Sequence, residues 1–475
     1  TTNFSVTMKS LVWFRNDLRV LDNPALYNAC LVSDEVIGIF IITEEQWREH
    51  DDAKCKVNFI LRAVESLKES LEKINIPLAV IDAGDFKSSE KELLSFCQKN
   101  DIANLYFNCE YQVNELKRDR QIYKNFKEKN IGVFNYHDQV IHVPGTLKTK
   151  AGGDFSVYSP FKRKWFEELS EDQLKILQIP KKQEELKLDS INLSAYQAKY
   201  ASDIDDLWPV SEDHAQQMVE SFLKTRGDAY KDDRNFPAID GCSKISPYLN
   251  IGVVSSKWCL IKAREHNNNQ LEEGSRGIVH WVSEILWREF YRHIMYNFPR
   301  VSMNKAFQAY TEDLKWSENQ EHFESWMNSR TGIPIVDAGI EEMKQTGWMH
   351  NRLRMIVAMF LSKNLLIDWR KGEKFFMQHL IDGDLASNNG GWQWSASTGT
   401  DAAPYFRIMN PETQSLKFDT QGEYIKKWLP QLKDCPVSEI HMPSNPEQYD
   451  YVKPIVDLKQ SRQAAIDAFG DLKKS

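Results

Sequence analysis

Residues 36–42 read VIGIFII, seven apolar positions in a row with no polar alternation. A strand with one face in water alternates, whereas an unbroken β-rich run of this length suits a strand covered on both faces. The same signature recurs at 10–14 (SLVWF), 78–83 (LAVIDA), 104–108 (NLYFN) and 133–137 (VFNYH), with helical patterns such as 53–73 and 88–99 between the runs. Strands alternating with helices predict an α/β domain over residues 8–140, a doubly wound, Rossmann-like parallel sheet. Ligands of such sheets sit beyond the carboxyl ends of the strands.

Further along the chain the alternation stops. Residues 141–210 begin with the turn-rich VPGTLKTKAGGDF, then YSPFKRKWFEEL, in which a helix is predicted after Pro160. The stretch 181–206 is polar and weakly periodic, as expected of an inter-domain linker. Over 211–475 apolar residues recur at three- and four-residue spacing, as in GIVHWVSEILWREFYRHIMYNF (277–298) and NRLRMIVAMFLSKNLLI (351–367). Few strand signals interrupt them, so the second domain is predicted to be all-α. No internal repeat or low-complexity tract is present.

The 475 residues exceed one ordinary core, which agrees with two domains. A net charge of −8 argues against a wholly basic surface but leaves room for a local basic face. Cys30, Cys55, Cys97, Cys109, Cys242, Cys259 and Cys435 form no CxxC and no metal-ligand spacing, which reads as reduced thiols and a cytoplasmic setting. No apolar run approaches the ~18 residues of a membrane span, and no signal-peptide apolar region opens the chain.

Four stretches carry chemistry. In WVSEILWREFYRH (281–293), Glu284 shares a helix face with Trp281 and with Trp287 or Arg288, a carboxyl on an aromatic platform. The same spacing also describes an ordinary i,i+4 ion pair over core aromatics. Between 348 and 374 six Lys/Arg stand against two Asp/Glu, which reads as a basic patch for phosphates or as a solvated helix face. NNGGWQW (388–394) is too polar for a core helix and too aromatic for a solvated loop. Asp382 and Asp384 just before it lack a third ligand at metal spacing. Carboxylates, amides and glycines there suit a polar ring system better than a metal. CSKIS (242–246) can offer backbone N–H groups to phosphate, although such turns are usually only caps.

These residues also carry a resemblance. LVWFRNDLRVLDNPAL (11–26), YSPFKRKW (158–165), SEILWREFYRH (283–293), TGWMHNRLRM (346–355), LLIDWR (365–370) and DGDLASNNGGWQWSASTGTDAAPYFRIMNP (382–411) resemble the photolyase/cryptochrome family. Within it they are most similar to bacterial class I enzymes that repair cyclobutane pyrimidine dimers. The resemblance spans nearly the whole chain. It implies an antenna-binding α/β domain, a long linker and a helical FAD- and DNA-binding domain. The implied enzyme is a carbon–carbon lyase acting on UV-damaged DNA as a monomer, with reduced FAD giving an electron to the dimer under light and receiving it back.

The resemblance assigns roles by matching position. FAD contacts fall on Tyr230, on Cys242, Ser243, Lys244, Ile245 and Ser246 near the phosphates, and on Trp281, Arg288, Asn351, Arg354, Asp382, Gly383, Asp384 and Asn388. Arg354 and Asp382 would pair beside the flavin ring, and Asn388 would face its N5 position. Trp392, Trp369 and Trp316 match an electron relay from flavin to surface. Glu284, Trp287, Met355 and Trp394 match the pocket for a flipped lesion, with Glu284 protonated or sharing a proton and the two Trp stacking on thymines. Arg234, Arg288, Tyr291, Asn351, Arg352 and Gln414 would touch DNA together with Glu284, Trp287 and Trp394.

His50, Asn114 and Glu115 match contacts to a methenyltetrahydrofolate antenna. Met303 stands where the family pattern has Lys, with Lys305 two residues on. Cys242 replaces the usual Thr and Lys244 the usual Arg. Two related readings compete with dimer repair: a cryptochrome-type blue-light receptor and a photolyase for (6–4) photoproducts. Asn388 favours repair over signalling. Met355 stands where a (6–4) enzyme carries His.

Overall fold

The computed structural model describes residues 6–472. Five strands, β1 (Lys9–Phe14), β2 (Glu35–Ile42), β3 (Leu78–Asp82), β4 (Asn104–Asn108) and β5 (Gly132–Tyr136), form one parallel sheet in the order β3-β2-β1-β4-β5. Each predicted strand is present to within a residue at either end. In β2 every position from Val36 to Ile42 is buried, as its unbroken apolar run requires. The helices Pro24–Val32, Lys54–Glu72, Phe86–Lys99 and Val113–Glu128 complete the alternation. After Tyr136 the described chain contains helices and turns but no strand.

The described chain forms two compact units. One comprises residues up to Gly152, Lys162–Lys224 and Lys244–Glu272. The other comprises Gly153–Phe161, Thr225–Ser243 and the chain from Glu273 on. The contacts therefore do not divide at 211. The loop after β1 explains why. Buried Arg19 donates to the Gly252 carbonyl at 3.0 Å, and Asp22 receives Ser255 Oγ at 2.6 Å and Lys257 Nζ at 2.7 Å. The Glu212 carboxylate accepts from the Val20 and Leu21 amides. Gly252, at φ +71°, lies so close that a Cβ would stand 2.2 Å from the Asn16 carbonyl. The Asp22 side chain thus holds the helix Ser256–Glu265, and the Val20 and Leu21 amides hold the helix Glu212–Thr225, to the loop that follows β1.

Residues 181–206 are likewise no free linker. Gln183 pairs with the backbone N–H and carbonyl of Val36, and Ser190 Oγ accepts from Val80 N at 3.0 Å. A short helix, Ser194–Lys199, follows, and Lys199 and Tyr200 both donate to Glu44. Side-chain hydrogen bonds to strand backbone leave no apolar period for a sequence reading to detect. The helix at YSPFKRKWFE starts at Tyr158, two residues before Pro160, because a first-turn proline costs no helical hydrogen bond.

Candidate functional site

In the second unit the helices Arg276–Asn297 and Asn351–Met359 both pack on Leu385–Ala396. The third contains NNGGWQW, so that stretch is a helix after all. Asp384 caps it through Ser387 N at 3.0 Å. Its polar residues are buried because they satisfy one another. Asn389 donates to Glu373 Oε2 at 2.7 Å, Gln393 donates to Asn389 Oδ1 at 2.9 Å, and Gln393 Oε1 accepts from Phe307 N at 2.8 Å. A ladder of this kind at i,i+4 spacing lets amides enter a core at no net loss. Of the two glycines, only Gly390 serves close approach. A Cβ on Gly390 would fall 2.4 Å from the Tyr291 ring, whereas one on exposed Gly391 would meet nothing within 4 Å.

Glu284 projects from helix Arg276–Asn297 and meets Arg234, whose Nη1 donates to Oε1 at 2.7 Å. His280, one turn back, lies 3.4 Å from the same oxygen and also contacts Arg234 Nη1. Burial alone would raise the pKa of this carboxyl. The hydrogen bonds and charges of His280 and Arg234 outweigh it, so the pKa lies below the ordinary value. Without DNA, His280 and Arg234 thus favour the carboxylate form of Glu284, against the expectation that it is protonated.

Trp287 stacks at 3.8 Å and 10° on Tyr158, whose hydroxyl bonds the Ser283 carbonyl at 2.9 Å. One face of Trp287 is thus already covered, and a thymine can stack only on the other. Met355, Trp394 and Tyr291 are partly exposed, and Asn351 is exposed. Arg352 donates to Asn235 Oδ1 at 2.6 Å and lies 4.2 Å over the Phe418 ring. Gln414 is partly buried, and its Oε1 has no hydrogen-bond partner among the described residues. Tyr158, His280, Asn235 and Phe418 were missed as site residues. Tyr158, inside YSPFKRKW, and His280, four residues before Glu284, carried a signal; Asn235 and Phe418 carried none.

The basic patch expected over 348–374 is not a surface patch. Arg354 pairs with Asp382 at 2.9 Å, Arg370 pairs with Glu312 at 2.8 Å, and Lys363 is wholly buried. Lys371 and Lys374 are exposed. Counting charges along the sequence could not show that Glu312 neutralises one of them.

Of the residues matched to FAD, Trp281 donates its indole N–H to Ser243 Oγ at 3.2 Å, and Arg354 and Asp382 form the expected pair. Asp384 pairs with Arg292 at 3.3 Å. Burial works against its charge, but Arg292, the Ser387 amide and Arg288 keep its pKa low. The Asn388 amide donates to the Glu373 carbonyl at 2.9 Å, which orients it. Tyr230 is buried, and Arg234 lies 5.6 Å over its ring. Cys242 accepts Arg226 Nη1 at its carbonyl, 3.1 Å away. This donor set fits a flavin, whose ring edge offers carbonyl acceptors and an N–H donor to guanidinium, amide and carboxylate groups. In the first unit Lys244 is exposed at φ +54°, followed by Ile245 and the short helix Ser246–Asn250. Asp382 and Asp384 are occupied by Arg354 and Arg292, and no metal-binding cluster occurs among the described residues. Gly383 follows Asp382 in the turn before the capped helix.

Trp392 and Trp369 are buried in one hydrophobic cluster, and half-buried Trp316 packs against it. Helix Trp369–Met377 passes so close over Trp392 that a Cβ on Gly372 would be 2.1 Å from the ring. In the first unit His50 Nε2 lies 3.1 Å from Asn114 Nδ2, and its Nδ1 lies 3.6 Å from Glu115. Burial and the neighbouring Glu110 raise the pKa of Glu115. Met303, in the second unit, is exposed.

Residues 10–182 match the family model described as DNA photolyase, and residues 281–471 match that of the FAD binding domain of DNA photolyase. The chain is 41% identical over 472 residues to the deoxyribodipyrimidine photo-lyase of Salmonella typhimurium, covering 98% of this chain and 99% of that one. It is 39% identical to the enzyme of the same name from Escherichia coli, covering 98% and 99%. A class III photolyase structure from Agrobacterium tumefaciens superposes with a TM-score of 0.87 at 32% identity, covering 100% of both chains. A Synechocystis cryptochrome gives 0.86 at 26% identity, covering 98% of this chain and all of the other. The chain belongs to the DNA photolyase family. No helix among the described residues is long and apolar enough to cross a membrane.

Proposed function

We propose that this chain is a light-dependent DNA repair lyase that takes a cyclobutane pyrimidine dimer out of the duplex into the Glu284 pocket and splits it with the help of FAD. One observation carries the reading. Each of three helices, two of them packed on the third, bears a residue matched to FAD within two turns of a residue matched to the lesion. They are Trp281 and Arg288 beside Glu284 and Trp287, Arg354 beside Met355, and Asn388 six residues before Trp394, with the relay residue Trp392 between them. Helices present such neighbours on adjoining surfaces, so cofactor and lesion are held within contact of one another.

The protein's own part is positional and electrostatic. Arg354, Asp382 and Asn388 would hold the flavin ring, Trp281 and Tyr230 would border it, and Ser243 would meet the phosphates. Reduced FAD, when bound and excited by light, supplies the electron that opens the cyclobutane ring. Flipping a damaged base out of the stack is a strategy for which photolyases are a standing example, and a lesion that stacks poorly costs less to extrude. The free face of Trp287 and the Trp394 ring would receive the dimer. The ionised Glu284 would accept from a thymine N3–H and hold the ring in register. Arg234, Arg352 and Gln414 would border the DNA strand.

Trp392, Trp369 and Trp316 run from buried to half-buried, the order an electron path from interior to surface needs. The grouping of His50, Asn114 and Glu115 supports a methenyltetrahydrofolate antenna on the first unit. Seven free cysteines favour a reducing, cytoplasmic setting.

The test is direct. Purified protein should contain flavin and, once reduced, restore thymines in a dimer-bearing oligonucleotide only under blue light. Bound flavin with no restoration would overturn the repair reading.

A further inference from the structure

The helix Arg276–Asn297 carries an imidazole that none of the assigned roles uses. His280 Nε2 faces two groups at once: Arg234 Nη1, which it contacts, and Glu284 Oε1 at 3.4 Å. Arg234 Nη1 also donates to Glu284 Oε1 at 2.7 Å, so one guanidinium nitrogen bridges imidazole and carboxylate. A guanidinium has no acceptor, so it can donate to Nε2 only while that nitrogen is unprotonated. A proton on Nε2 reverses both signs. The Arg234 contact becomes a repulsion of like charges, and the Glu284 contact becomes a charge-assisted hydrogen bond.

Resting on the reading of this face as the lesion pocket, we infer that His280 is a positioning residue that selects the partner of Glu284. As a neutral imidazole it keeps Arg234 on the carboxylate. As an imidazolium, protonated from solvent, it takes the carboxylate itself and releases Arg234 to a DNA phosphate.

The surroundings leave His280 in control of that exchange. From the short helix Tyr230–Asp233 and its cap, the facing groups are the Tyr230 ring at 6.0 Å and Arg234. On its own helix they are Glu284 and, one turn back, exposed Arg276. Cys242, in the adjoining loop, is near enough for its charge to act on Arg234 and Tyr230. Asp384, at the start of the packed helix Leu385–Ala396, is committed to Arg292. From the helix Asn351–Met359 and its cap, Arg352 and the His350 imidazole also act on Arg234, and burial holds the His350 pKa down to about 3, so that ring stays neutral through the exchange. The His280 and Glu284 side chains are each 33% exposed, so solvent protons and DNA can reach them. Imidazoles as a class change charge between pH 5 and 8, which sets the two pH values of the test.

The test compares the flavin-loaded native chain with His280→Gln on a duplex carrying one thymine dimer, at pH 6 and pH 8. A Gln amide can accept from Arg234 and donate to Glu284 at any pH, so it cannot switch. Dissociation constants measured between 50 and 200 mM salt should show a steeper salt dependence at pH 6 than at pH 8 for the native chain. One added phosphate contact steepens the slope by about 0.9, roughly a threefold greater loss of affinity over that range. His280→Gln, and Arg234→Gln in the native background, should show no such added steepening. Other histidines act equally in all three proteins and cancel in the comparison. Equal pH dependence in the native chain and in either variant overturns the inference while leaving light-dependent repair intact. Absence of light-dependent repair at both pH values would instead remove the pocket reading on which it rests.

Discussion

Replacing Lys363 with Met should remove a large pH dependence from the stability of the second unit. Lys363 is wholly buried. Its partners are neutral: Ser397 Oγ at 2.7 Å, the Tyr405 carbonyl at 3.2 Å and the Phe469 ring at 4.8 Å. Burial pushes its pKa down from 10.5 to about 7. The unfolded chain therefore holds a proton between about pH 7 and pH 10.5 that the folded chain releases, so stability rises with pH across that window. At pH 7 the penalty is nearly complete, and at pH 9 close to half of it remains. Integrating the two titrations gives about 2 kcal/mol of added stability from pH 7 to pH 9. The Met variant fills the same space without a titrating group and should lack this increment. Urea unfolding followed by tryptophan fluorescence, for both proteins at both pH values, reads the difference. Parallel pH dependence of the two proteins would refute the assignment of Lys363 as a buried, depressed amine. The residue also matters for the site, since it holds Tyr405, whose ring stacks on Phe469, which in turn packs on Trp316.

Three further outcomes are expected. Glu284→Ala should lower the repair yield per absorbed photon several-fold while changing affinity for dimer DNA less, and an unaltered yield would remove Glu284 from the chemistry. Trp316→Phe should block photoreduction of oxidised flavin yet leave repair by pre-reduced protein intact, and unimpaired photoreduction would mean that electrons leave by another route. Arg352→Ala should weaken DNA binding and flatten its salt dependence by about one phosphate contact. The charge of Arg352 is available because its polar partner, Asn235, is neutral, and an unchanged slope would place it away from the backbone.

Much of the fold was legible because its signals are local. Unbroken apolar runs mark strands buried on both faces, and all five were placed to within a residue. The grouping of elements was less legible because it rests on side chains far apart in sequence. Arg19 reaching Gly252, Glu212 reaching Val20 and Gln183 reaching Val36 leave no periodic trace. The site divides in the same way. Glu284, Trp281 and Arg288 are neighbours on one helix and could be read as such. Arg234, fifty residues from Glu284, is invisible to a reading that sees only i,i+4 partners, whereas His280, four residues before Glu284, lies within its reach. NNGGWQW looked unsuited to a core helix because the eye sums polarity. The structure instead satisfies Asn389 and Gln393 against each other and Glu373. The basic stretch from 348 to 374 misled in the opposite sense, since Asp382 and Glu312 lie outside it in sequence and beside it in space.

The central claim is that the pocket around Glu284 receives a cyclobutane dimer next to the flavin. It is tested by giving the reduced, flavin-loaded protein two oligonucleotides, one with a thymine cyclobutane dimer and one with a (6–4) photoproduct, each in darkness and under blue light. The account predicts restored thymines on the dimer strand alone and in light alone. Repair of the (6–4) strand would contradict the substrate assignment. No repair of either strand by protein whose flavin still photoreduces would contradict the account and favour a light receptor.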